Sequence, residues 1–325
     1  MRKIVGYALM GGMACGLLLG VTACGDNAAS SSASKSSAAS SAASSNATSS
    51  SKGSSAAASS VDTLSGTVTA SGSSALAPLA SDAATRFMAI HSAVDVEISS
   101  GGSGTGLKNV AAGTVDIGDS DVYAAEKLDA STAETLVDHK VATIGVAAVV
   151  NKDVAATVTN VTTAQLISIF TGATTNWSTL GGPNETIVRC TRPTSSGTRT
   201  LFEKYAMSGT AEVSDANGLE SDNSGDLYAK VQETKGAIGY LALSYLVSNT
   251  NVGILSFNGT AASYTNIYSG AYPVWGFEHM YTLGAGSVPA QAFIAYITSD
   301  AYSGYIEQQG YGVNSKMSAA ATSGR

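Results

Sequence analysis

From position 66 onward the chain alternates two periods of apolar residues. "AVDVEIS" sets Val94, Val96 and Ile98 two apart, as a half-buried strand does. "SSALAPLASDAATRFMAIH" before it puts Leu76, Leu79, Ala80, Ala83, Phe87 and Ile90 on one helical face. The same alternation recurs along the chain. "SGTVTASG", "TVDIGDSD", "ETIVRCTR" and "AYPVWGFEHMYTLG" read as strands, and "GAIGYLALSYL" as an apolar strand with a turn. "KVATIGVAAVVNK" is long and apolar enough for a strand buried on both faces. "GTGLKNVAAG", "SSGTRTLFEKYA" and "VPAQAFIAYITS" read as helices. So does "TTAQLISIFTG", with Thr162 or Thr163 as cap and Gly172 as stop. Strands alternating with helices predict an α/β fold with mostly parallel sheets, here two sheets linked by long strands.

The N-terminal sixty residues have neither period. Met1-Arg2-Lys3 leads into an apolar run from Ile4 to Gly20, then Val21-Thr22-Ala23-Cys24. This reads as a secretory signal (1–23) ending in a lipobox-like site with Cys24 as the lipidated residue. Cys15 has too little apolar sequence before it. The run is marginal for a transmembrane anchor, the competing reading. Residues 25–60 are nearly all Ser and Ala. Such a segment buries little and is expected to act as a disordered tether, with an r.m.s. reach of roughly 30–36 Å.

Charge and rare residues narrow the chemistry. Four of the 17 basic and one of the 24 acidic residues precede position 61, leaving 13 against 23 and a net charge of −10. That disfavours nucleic acid or an anionic membrane face as a partner. With Cys24 lipidated, only Cys190 remains for the fold, a buried thiol in a strand-like run. His91, His139 and His279 are scattered, and no Cys or His pair has metal-ligand spacing.

"ISSGGSGTGLKNV" (98–110) has the look of a phosphate-cradling loop but fits no nucleotide motif. A P-loop needs G-x-x-x-x-G-K-[ST]; Gly101 and Gly106 have the spacing, but Leu107 follows and Lys108 is one place late. A dinucleotide fingerprint fails at Leu107. A hydrolase elbow fails as well, because Thr105 follows Ser103 by two, and Ser196 lies between Thr194 and Thr198. What recurs is a strand ending in a Gly/Ser/Thr turn that opens a helix: "SGSSALAP" (71–78), "GGSGTGLK" (101–108) and "TSSGTRT" (194–200). Helix N-termini carry free N–H groups and a positive dipole end, and small hydroxyl residues let an oxyanion approach closely.

These blocks, with "IFTGATTNWSTLGG" and "GAIGYLALSYL", resemble the phosphate-binding lipoproteins of ABC importers over most of 61–325. The likeness is weak over 208–230 and 250–300. It implies a two-lobed, type II periplasmic-binding-protein-like α/β fold, with the ligand cleft between lobes joined by crossing strands. Lobe I would comprise 61–144 with 271–325, and lobe II 145–270. It further implies a non-enzymatic protein without cofactor or metal. Such a protein would capture inorganic phosphate and pass it to an ABC permease and its ATPase. It would sit on the outer face of the cytoplasmic membrane, held by its lipid.

Carried across by motif, the phosphate-binding residues are Ser73 and Ser74 in the first turn and Ser103 in the second. Asp121 is the acidic acceptor, and Arg192 precedes the third turn of Ser196, Gly197 and Thr198. The chemistry agrees with this assignment. Phosphate near neutral pH keeps a proton that a buried carboxylate can accept; fully ionised sulfate or molybdate would meet only like charge. Asp119 in "GDSD" is the competing acceptor, and Asp116 is expected within the strand. Arg199 and Lys204 are expected on a solvated helix face. Many relatives carry an acidic residue just before Ser-Gly-Thr; Thr194 and Ser195 stand here instead, which predicts a less negative site. The rival readings are the same fold serving another oxyanion or acting as a phosphate sensor, and a secreted hydrolase or phosphatase.

Overall fold

The computed structural model describes residues 63–325. The expected signal sequence, Cys24 and the whole of the tether therefore lie outside the described residues. Eleven strands follow in chain order: β1 (Gly66–Gly72), β2 (Val94–Ser100), β3 (Ile117–Ser120), β4 (Leu136–Asn151), β5 (Asn160–Val161), β6 (Val188–Thr191), β7 (Leu219–Glu220), β8 (Ala237–Ala242), β9 (Val252–Ile254), β10 (Ser256–Phe257) and β11 (Trp275–Leu283). Nine of them form one continuous sheet rather than the expected two: eight in the order β2-β1-β3-β11-β4-β8-β6-β7, with β9 also on β4; β5 and β10 pair separately.

The mostly parallel expectation holds at the wings and fails in the middle. β1 runs parallel to β2 and β3, and β6 parallel to β7 and β8. β11 is antiparallel to β3 and β4, and β4 to β8 and β9. The two long strands cause this. β4 and β11 pair from Trp275 opposite Gly145 to Leu283 opposite Leu136, and so cross between two helix-covered halves. Each strand enters both cores. In one core Val141, Ala142 and Met280 pack with β1, β2 and helices Ala77–Ile90 and Val288–Ile297. In the other, Ile144 to Val150 and Trp275 pack with β8 and helices Thr163–Phe170, Gly197–Ala206 and Ser224–Glu233. Residues 141–151 of β4 are buried without interruption, as the apolar run predicts.

Local signals place the helices. Thr162 caps Thr163–Phe170 in a capping box with Gln165. The helix of the second turn is Ser103–Ala111, because Gly102 at φ +83° turns the chain before Ser103. Cys190 is fully buried, and burial pushes its thiol up to about 11, leaving it unreactive. Two expectations need correction. Ile90 ends its helix 59% exposed, beyond the point where the apolar stripe faces the core. Arg199 is buried rather than solvated: its Nη1 donates to the Arg192 carbonyl at 2.6 Å and its Nε to Glu203 at 2.8 Å. The loop ahead of the helix leaves a buried carbonyl that needs a donor, and Arg199 supplies it. Lys204 does lie at the surface, pairing with Glu126 at 3.3 Å.

Candidate functional site

Four parallel-strand ends supply the site. Ser73 and Ser74 follow β1, Ser103 follows β2, Asp121 follows β3, and Arg192 with the Ser196 turn follows β6. Strand C-terminal ends are where open α/β sheets place ligands. Ser73, Ser74, Ser103, Asp121, Arg192, Ser196 and Thr198 are each at most 5% exposed, although all but the Thr198 turn lie outside regular elements or at their first residue.

Asp121 is the hub. Its Oδ1 accepts a short hydrogen bond from Ser73 Oγ, and its Oδ2 accepts one from Thr198 Oγ1 at 2.6 Å. One hydroxyl comes from each half of the molecule. The Asp121 N–H donates to Ser103 Oγ at 3.0 Å. Ser73 Oγ also accepts from the Ala75 and Leu76 N–H groups at 3.0 and 3.1 Å, which fixes the first turn. Ser196 caps the helix of the third turn. Gly197 follows because nothing larger fits: a Cβ there would lie 2.3 Å from Ser103 Oγ and 2.9 Å from Asp121 Cβ. The Gly104 N–H donates to the Ser195 carbonyl at 2.9 Å, so the second and third turns touch directly.

Arg192 is fully buried. Its Nη1 donates to the Asp222 carbonyl at 3.2 Å and its Nη2 to Ser224 Oγ at 3.0 Å, and its backbone N–H is held by Glu212 at 3.0 Å. The buried Nε meets no protein acceptor, and no described carboxylate is within ion-pair distance of the guanidinium. A buried cation with an unspent donor is suited to an anion. Ser74 joins Arg192 through shared partners, because its Oγ donates to the Asp222 carbonyl at 2.5 Å and lies 3.1 Å from Ser224 Oγ. The structure thus brings together all eight proposed residues, Gly197 by close approach.

Three contributors, and one buried acid behind the site, escaped the motif reading. Asp222 brings a carboxylate to the third turn from a distant loop: its Oδ2 accepts from Ser195 Oγ at 2.8 Å. Burial raises the Asp222 acid above the usual range, while Ser195, Ser196 and Arg192 pull it back. Ser224 ties Ser74 to Arg192. Lys127 reaches across from the first half, donating to the Thr194 and Ser196 carbonyls at 2.7 and 3.0 Å and to Thr200 Oγ1 at 2.7 Å. Burial lowers its pKa against the pull of nearby acids, Asp121 first. Glu278 is a fully buried carboxyl on β11. Its signal was visible: an acid inside the apolar strand "WGFEHMYT". Asp119, weighed as the acceptor, is buried with both oxygens unpartnered, whereas Asp121 holds the hydroxyl donors.

Two helix-covered halves, joined by crossing strands and meeting at polar turns around a buried Arg and Asp, define a two-lobed binding-protein fold. The sequence model of the PBP superfamily domain matches residues 31–301. The chain belongs to this superfamily and, within it, to the family of the phosphate-binding protein PstS: it is 43% identical over 248 residues to that protein from Bacillus subtilis (strain 168), covering 76% of this chain and 80% of the relative. Among solved structures it is similar to a phosphate ABC transporter substrate-binding protein from Clostridium perfringens with bound phosphate. That match has TM-score 0.68 and 27% identity, over 76% of this chain and 98% of the other. An ABC-type phosphate transport receptor from Vibrio cholerae matches with TM-score 0.60 and 29% identity, over 75% and 99%. The family assignment agrees with the resemblance carried by the sequence blocks.

Proposed function

We propose that the protein captures inorganic phosphate outside the cell and delivers it to an ABC permease with its cytoplasmic ATPase, without catalysing a reaction. The observation that carries this reading is the convergence on Asp121 of one hydroxyl from each half, Ser73 and Thr198. A protonated oxyanion donates a hydrogen bond to Asp121 and takes the two hydroxyls as donors, so it links both halves in place of the direct bonds. Arg192 Nε, Ser74, Ser103 and the N–H groups at Gly197 and Thr198 complete the shell, and Arg192 offsets the charge. Fully ionised sulfate has no proton for Asp121 and meets repulsion instead.

In this reading lobe I comprises 61–144 with 271–325 and lobe II 145–270, and closure about β4 and β11 buries the anion. Cys24, when lipidated, tethers the protein to the outer face of the cytoplasmic membrane through residues 25–60. No helix among the described residues is long and apolar enough to cross a membrane. The test is calorimetric titration of the purified protein with phosphate and with sulfate, beside a turnover assay on a phosphomonoester. Saturable phosphate binding, at least tenfold weaker sulfate binding and no turnover support the reading; equal binding of the two anions, or turnover, sinks it.

A further inference from the structure

Directly behind Asp121 lies a group for which phosphate recognition, as read above, has no use. β11 runs antiparallel to β3, with Met280 opposite Asp119 and His279 opposite Ser120. Glu278 and Asp121 are the next residues beyond this ladder, one on each strand, and the pairing of β11 with β4 shifts register between Glu278 and His279. Glu278 is 0% exposed, and neither of its carboxyl oxygens has a protein donor. The groups acting on it come from every side. Asp119 acts on it from β3 and Asp121 from just after it, Tyr264 from helix Tyr264–Ser269, and Tyr311 from the segment before Asn314–Lys316. None of these is a cation. The Tyr264 hydroxyl donates to the Thr143 carbonyl and the Tyr311 hydroxyl to the Ala75 carbonyl, so neither tyrosine has a proton to offer Glu278. On its own strand, His279 is paired with Asp138 at 2.7 Å. A metal is not the answer either, because no described group of three or more His, Cys, Asp or Glu side chains is arranged to hold one.

Two buried carboxyls on neighbouring strand positions without a cation cannot both be ionised at modest cost; one keeps a proton that it can donate to the other. We propose that Glu278 is that proton carrier: a positioning residue whose neutral carboxyl donates to Asp121 from behind, orients it, and leaves its other lone pairs to the hydroxyls and the anion. The inference rests on the reading of Asp121 as the acceptor of the anion's proton. Burial, with Asp121 and then Asp119 adding to it, pushes the Glu278 acid well above the usual range, in agreement with the geometry. A bound anion adds negative charge nearby and favours the protonated Glu278 further. Affinity is therefore tied to this proton and falls at alkaline pH as the proton is lost.

Two experiments decide the matter. The first needs no ligand: infrared spectra of the anion-free protein at neutral pH, wild type minus Glu278→Gln. A C=O stretching band of a protonated carboxyl in the difference supports the proposal; a difference without that band overturns it. The second measures the Kd for inorganic phosphate from neutral to alkaline pH in both proteins. The Gln amide offers an N–H in the same place but does not titrate. Its affinity at neutral pH should stay within about threefold of wild type, and wild type should lose about tenfold more affinity than the variant towards alkaline pH, the equivalent of one pKa unit. Superimposed pH profiles overturn the proposal. Should the Gln variant not fold, wild-type calorimetry in two buffers of different ionisation enthalpy serves instead. Net proton uptake on binding above neutral pH supports the proposal, and none overturns it. If wild type binds no phosphate, the phosphate reading fails while the infrared difference still decides the role of Glu278.

Discussion

The two halves of the site are built from different chemistry. The first half presents Ser73, Ser103 and Asp121, backed by Asp119 and Glu278, with no arginine among them. The second presents Arg192, Ser196 and Thr198, with Asp222 at its rim. Each wall alone is a poor phosphate site. The first would repel an anion, and the second would hold any anion of the right size. In the proposed reading, selectivity falls to the first wall and attraction to the second, and closure would make a ligand satisfy both.

Removing the attraction should have the largest effect. Arg192→Ala is expected to weaken phosphate binding about a hundredfold, roughly 2.7 kcal/mol, with sulfate binding, if any, reduced in parallel. Calorimetric titration measures both. A variant with wild-type affinity would show that Arg192 serves only its protein partners, Asp222 and Ser224.

Asp121→Asn attacks the other wall. The amide still fills the hub but can donate a proton, so it removes the penalty on a fully ionised anion. Phosphate should bind more weakly and sulfate more strongly, narrowing the preference about tenfold, or roughly 1.4 kcal/mol. An unchanged preference would move proton recognition away from Asp121, with Asp119 next in line.

How far the sequence revealed these walls depends on how each residue reaches the site. The three turns were legible because a strand end, a run of small hydroxyl residues and a helix start are neighbours in the chain. The wings of the sheet were legible for the same reason. The antiparallel centre was not, since the direction of β4 against β11 depends on pairing across more than a hundred residues. Asp222 was hidden by the same distance: it sits where the family likeness is weak and meets Ser74 across 148 positions. Arg199 was misread because a helical stripe predicts which face packs on the core, and this side chain instead answers a loop carbonyl at the end of its helix. The motif favoured Asp121 over Asp119 but could not exclude the second carboxylate, because the choice lies in which one receives the hydroxyls.

The backing of the first wall has its own signature in stability. Burial, with Asp121 adding to it, raises the Asp119 acid well above the usual range. The folded protein therefore keeps a proton that the unfolded chain releases above the ordinary carboxylate pKa. Stability from this group is fully present below that pKa and is lost as pH rises towards the folded value. Asp119→Asn removes the loss. Relative to wild type, its melting midpoint should rise by about 2–4 °C between pH 4 and pH 8, the equivalent of about 1 kcal/mol in a domain of this size. Parallel curves would mean that Asp119 stays ionised in the fold.

The smallest expected effect belongs to the contact that holds the walls together without touching the anion. Lys127 extends from the first half to two carbonyls and a hydroxyl of the third turn. Its ammonium is partly exposed to solvent, so the three bonds are worth less than a buried network. Lys127→Ala should leave the on-rate for phosphate near its wild-type value and raise the off-rate about threefold, roughly 0.7 kcal/mol, since most affinity changes of this kind appear in dissociation. Stopped-flow fluorescence, with Trp275 and Trp177 as the intrinsic probes, separates the two rates. A slower on-rate with an unchanged off-rate would make Lys127 part of the attraction for the incoming anion, and the division between an attracting and a selecting wall would then have to be redrawn with a cation on both sides.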